Sequence, residues 1–109
     1  MPYRLSFVDG YPKLDPDPPG AMVQFTAIWR CTNTGDESSP ETGAWVDVYD
    51  ANGQLTITSS GRAIQILAPT EQDGDTLAVG ALGRGKWSVR ICLDSFGNGD
   101  IAIFPLDIQ

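Results

Sequence analysis

The stretch Ala21–Gly35, AMVQFTAIWRCTNTG, decides the fold. Val23, Phe25, Ala27, Trp29 and Cys31 recur at every second position, alternating with Met22, Gln24, Thr26, Ile28, Arg30 and Thr32. A period of two belongs to a β-strand, whose successive side chains point to opposite faces. An apolar side against a mixed, mostly polar one puts one face in a core and the other in water. The run starts after the turn-rich Asp15–Gly20 and stops at Asn33-Thr34-Gly35, which bounds one long antiparallel strand.

Working outward, Tyr3–Val8 reads as a first strand, with Tyr3, Leu5 and Phe7 on one face. Pro12–Gly20 (PKLDPDPPG) is too rich in proline to pair in a sheet centre and reads as a stiff crossing between layers. Asp36–Gly43 is a polar loop. Ala44–Asp50 alternates again, and Asn52-Gly53 is a hairpin signal that returns Gln54–Ser59 beside it. Arg62–Leu67 and Thr76–Leu82 are short strands on either side of the loop Pro69–Asp75. Lys86–Leu93 places Trp87, Val89, Ile91 and Leu93 on one side. Ile101–Ile108 closes the chain, and Pro105 places that strand at an edge or a bulge.

Seven or eight strands with tight turns, long crossings and no helical period predict an all-β fold, a two-sheet Greek-key immunoglobulin-like β-sandwich. A closed barrel is the competing architecture; the long crossings favour strands that change sheets. The expected core is Val23, Phe25, Trp29 and Cys31 facing Trp87, Val89 and Ile91. A length of 109 residues suits one domain, 1–109, with a core of its own.

A formal net charge of −7 with seven basic residues argues against nucleic acid and anionic membrane surfaces as partners. No apolar run reaches membrane-spanning length, and no signal-peptide pattern is present. The chain lacks histidine, which removes Ser-His-Asp and Cys-His nucleophile pairs and histidine metal ligands. Phosphate-cradling glycine motifs are absent as well, so the reading is that this is not an enzyme and needs no cofactor.

Three constellations remain. Asp94, Asn98 and Asp100 put oxygen ligands into a glycine-rich loop, the composition of a calcium site. The spacing lacks a distal glutamate, so the loop reads as a solvated hairpin. Cys31, Trp45 and Cys92 follow the Cys…Trp…Cys order of antibody-like domains. Cys31 is in phase with the apolar side of its strand, whereas Cys92 shares a side with Ser88 and Arg90. Two reduced thiols are therefore expected, with a bulge required for a disulfide. Trp29 and Trp87 are in phase with the core; Trp45 is the tryptophan left for a surface.

The lead PDPPG, the strand MVQFTAIWRC, the stop Asn33-Thr34-Gly35, the run VDVYDANGQ and the late LGRGKWSVRICLD resemble bacterial cell-adhesion-related (CARDB-like) β-sandwich domains from about Pro16 to Asp94. The resemblance implies an Ig-like fold, used in extracellular or surface-associated modules, and supplies no catalytic residues. The expected function is a non-enzymatic structural or interaction module that binds another protein through loops or an edge strand, which also offers a route to oligomers. An acidic chain without an export signal suggests a virion component, a phage head-decoration or tail-associated protein meeting a capsid or tail protein, in the virion or the cytoplasm. The alternative is a cell-surface adhesion or carbohydrate-associated module of a larger secreted protein.

Overall fold

The computed structural model describes residues 2–59 and 61–109. Nine strands follow in order: β1 (Leu5–Phe7), β2 (Lys13–Asp15), β3 (Phe25–Asn33), β4 (Thr42–Tyr49), β5 (Leu55–Thr58), β6 (Arg62–Ile64), β7 (Gln72–Gly80), β8 (Gly85–Leu93) and β9 (Ile101–Ile108). They form two antiparallel sheets in an immunoglobulin-like sandwich. Each sheet is built on one central strand. β3 pairs with the long β7 on one side and with β1 and β2, end to end, on the other. β4 in the same way has β8 on one side and the short β5 and β6 on the other, and β9 extends beyond β8 as an edge.

The alternation read from the sequence places the core between these sheets. Phe25, Ala27, Trp29 and Cys31 of β3 are buried, as are Val46 and Val48 of β4 and Val89, Ile91 and Leu93 of β8. Leu5, Leu14, Leu77, Val79, Leu106 and Ile108 complete the layer from the flanking strands. Trp29 is 1% exposed, and its buried Nε1–H meets no hydrogen-bond acceptor among the described residues. Trp87 packs against the margin of the core, half-buried, with its Nε1–H donated to the Gly83 carbonyl at 2.9 Å.

Val23 is a correction. It is 46% exposed, because β3 begins only at Phe25. Met22 adopts a left-handed backbone (φ 58°), its amide donates to Leu82 O, and the Val23 amide donates to Gly20 O. That turn breaks the period-two phase before the strand starts. Two further boundaries move. Lys13–Asp15, inside the proline-rich crossing, pairs with β3 as an edge strand, which its flanking prolines permit. β7 takes in Gln72–Asp75, read from sequence as loop, because Thr32, Cys31, Arg30 and Trp29 offer them a ladder partner.

Candidate functional site

The Asp94–Asp100 loop joins β8 to β9. Asp94 is 1% exposed and sits at φ 67°. Its Oδ1 accepts from Thr42 Oγ1 (2.8 Å) and the Phe96 amide (3.2 Å). Its Oδ2 accepts from Tyr3 Oη (2.7 Å) and the Asn98 amide (3.0 Å). Burial alone would raise this carboxyl; the bonds from Tyr3, Thr42 and the two amides outweigh it and hold the pKa below the ordinary value. Asp100 is engaged by two donors, Arg4 Nη2 at 2.6 Å and the Phe7 amide at 3.1 Å. The two carboxylates thus staple β1 and β4 to the loop. Among the described residues no group of three or more acidic or cysteine side chains is placed to hold a metal ion.

The cysteines lie in different layers. Cys31 faces the core and Cys92 lies on the other side of β8, in phase with Arg90, so both are free. Burial, reinforced by Asp73, pushes the Cys31 thiol up to about 11. Burial, reinforced by Asp47, does the same to Cys92. Neither is an activated nucleophile.

What the structure assembles instead is the outer face of the five-stranded sheet. Cross-strand register makes rows across β4, β8 and β9: Trp45–Cys92–Ile101, Asp47–Arg90–Ile103 and Tyr49–Ser88–Pro105. Ile101 and Ile103 are 60% and 56% exposed. The Arg90 guanidinium lies over the Tyr49 ring at 4.5 Å. Asp47 holds the middle of the face, accepting from Trp45 Nε1 at 3.1 Å and from Thr58 Oγ1. Aromatic rings, an arginine and aliphatic side chains fixed on rigid strands are the composition of a protein-docking surface. An open groove of about 400 Å³, lined by Thr42, Trp45, Arg62, Ser95 and neighbouring backbone, continues the face at one end. Gly61, which also lines it, passes close to β4: φ is +84°, and a Cβ there would lie 2.9 Å from Ala44 O.

Among solved structures, the CARDB domain of a Pyrococcus furiosus protein, solved with two metal ions, superposes over 97% of this chain and 91% of its own, with a TM-score of 0.65 at 18% identity. The fold is CARDB-like. A Bordetella pertussis protein assigned as ApaA matches the whole chain, 100%, over 91% of its own length, with a TM-score of 0.57 and 19% identity. A β-glucosidase of Erythrobacter marinus matches over 98% of this chain with a TM-score of 0.69 and 13% identity, but the chain spans 16% of that enzyme. The enzyme likeness therefore concerns one small part of a large protein. No protein-family model and no curated protein matches the sequence. A CARDB-like sandwich agrees with the resemblance read from MVQFTAIWRC and VDVYDANGQ. The outer face itself was missed in the sequence, where only Trp45 signalled it.

Proposed function

We propose that this chain is a non-enzymatic interaction module that docks another protein on the outer face of its five-stranded sheet. The observation that carries the reading is the row Asp47–Arg90–Ile103 with Tyr49 under Arg90, an ordered arginine beside exposed aliphatic surface. Lys86, Arg90, Asp47 and Asp107 balance in charge across this face, so the acidity of the rest of the chain guides approach without opposing contact. Metal binding is not part of the proposal, because both oxygens of Asp94 and of Asp100 already accept from protein donors.

The CARDB-like fold favours a cell-surface adhesion setting. The virion setting rests on the small, acidic chain, and there the same face would meet a capsid or tail protein. Flanking genes separate the two, capsid and tail genes pointing to the second. The docking face has a direct test. The chain has two lysines, one on each outer face: Lys13 on β2 and Lys86 on β8. Amine acetylation of the protein bound to its partner should spare Lys86 and modify Lys13; the reverse pattern overturns the proposal.

A further inference from the structure

β9 is the edge of its sheet, and two hydrogen bonds determine which way its amides point. Leu93 N donates to Asp100 O at 3.0 Å, and Asp94 N donates to Gly43 O at 2.9 Å. In an antiparallel ladder this phase turns the amides of β8 residues 87, 89, 91 and 93 toward β9. It leaves the N–H and C=O groups of Ile101, Ile103 and Asp107 facing away from β8. Pro105 occupies the same phase and has no N–H. The unpaired edge therefore offers donors at 101, 103 and 107, and the window Ile101–Leu106 (IAIFPL) carries no charge in a chain of net −7.

Edges of this kind are usually blunted. On the opposite sheet, edge strand β7 carries Asp73 and Asp75 on its inward-pointing positions, opposite Cys31 and Trp29. β9 has Pro105 and, further along, Asp107, and neither lies in the half with Ile101 and Ile103.

We propose that β9 pairs antiparallel with β9 of a second copy of this chain, joining the two five-stranded sheets into one. Geometry selects the register. At its start the edge is already covered: Leu5 N donates to Asn98 O and Asp100 N to Leu5 O, both at 2.9 Å. The added strand must therefore lie along Ile101–Asp107. Setting Ile103 opposite Pro105 of the second copy achieves this. The Ile103 amide then donates to the Pro105 carbonyl of the copy, and the amides of Ile101 and Asp107 exchange with Asp107 and Ile101 of the copy. The two-fold axis passes beside Phe104, and the donor Pro105 lacks costs one ladder bond per copy. Ile103 covers Pro105 of the copy on the outer face. A second copy fits where a charged partner does not: Ile101–Leu106 carries no charge, Asp107 falls at the two ends of the seam opposite Ile101 of the copy, and the contact is self-complementary, so two chains of −7 meet along an uncharged middle. The paired faces would also give the docking reading above two coplanar sites; the pairing itself does not depend on that reading.

Sedimentation velocity tests it. The protein should move from 11.7 kDa toward twice that mass as concentration rises, with slow amide exchange at Ile103 in the dimer. Ile103→Lys places a charge in the seam and should weaken dimerisation at least tenfold, and its thermal melt shows whether it is folded. Thr76→Lys, on the outer face of the other sheet, should leave the dimer intact. A monomer at all concentrations up to about 1 mM, or a dimer that Ile103→Lys spares or Thr76→Lys breaks, overturns the proposal. Arg90→Ala separates the two readings: it should abolish partner docking and leave the dimer mass unchanged.

Discussion

The two outer faces of the sandwich are built by the same alternation and end up different. On the sheet around β3 the outward row reads Thr26, Ile28, Arg30 and Thr32, with Lys13 and Asp15 on one side and Gln72 and Thr76 on the other. Arg30 Nε donates to Gln72 at 2.8 Å, and Thr32 to the Glu71 carbonyl. That face satisfies itself and water. On the sheet around β4 the outward rows carry Trp45, Tyr49, Ile101, Ile103 and Pro105 around Asp47 and Arg90. Half-buried strands need an apolar inner side alone; the β3 sheet sets half-buried Ile28 outside among polar neighbours, whereas the β4 sheet sets aromatic rings and exposed isoleucines there, and that is the face proposed for docking.

The comparison assumes that inner and outer positions are correctly phased, and the largest expected effect tests that. Trp29→Ala should lose about 3–5 kcal/mol through lost burial and a cavity, a large part of the roughly 5–15 kcal/mol that holds a domain. Arg30→Ala, one residue along, should cost about 0.5 kcal/mol or less. Thermal melts of the pair decide it, and the opposite order would exchange the two faces of β3. Trp29→Phe sharpens the point. It removes an indole N–H that has no acceptor among the described residues, so it should cost about 1 kcal/mol or less, the relieved donor offsetting the smaller ring.

Next in size is the staple that holds both sheets' ends to the β8–β9 loop. Asp94→Asn turns an NH2 group toward one of two donor pairs, Tyr3 with Asn98 or Thr42 with Phe96, and should cost about 2–3 kcal/mol in chemical denaturation. The pH dependence follows from the two shifts. Asp94 has a lowered pKa, so its contribution is complete above about pH 4, the unfolded value, and is lost as pH falls through the folded one. Tyr3 is raised, by burial first and then by its bond to Asp94, so its contribution holds below about pH 10 and fades above it. Melts from pH 2 to 11 should show a plateau between these limits; Asp94→Asn should lower the plateau and flatten its fall at the acid end, because the titrating carboxylate is gone.

The smallest effects should come from reagents aimed at groups that are already occupied or masked. EDTA should leave the melting temperature unchanged. A drop above about 10 °C, more than one kcal/mol's worth of roughly 4–8 °C, would reopen Asp94, Asn98 and Asp100 as ligands. A thiol reagent at pH 8 should label neither cysteine until the protein is unfolded, and then both. Rapid labelling of Cys92 in the folded protein would show the outer face of the five-stranded sheet to be looser than its register implies.

Local chemistry determined much of this protein in advance. Period-two alternation placed Phe25, Trp29, Cys31, Val89 and Ile91 inside, because a strand one residue out of phase would put every apolar side chain in water. Asn52-Gly53 specified the β4–β5 hairpin, and Pro105 narrowed its strand to an edge or a bulge, of which the sheet shows the edge. What needed the tertiary structure was whatever depends on a partner strand. Val23 left the core because a turn at Met22 is held by Leu82, sixty residues away by contact rather than by pattern. Lys13–Asp15 and Gln72–Asp75 became strands because β3 supplies ladders their composition does not request. Asp94 has the composition of a ligand, and its role as a staple follows from Tyr3 and Thr42, which approach only when the sheets pack. The outer face is the clearest case. Trp45, Arg90 and Ile103 lie on three strands, and backbone register across β4, β8 and β9, which no single strand encodes, brings them onto one surface.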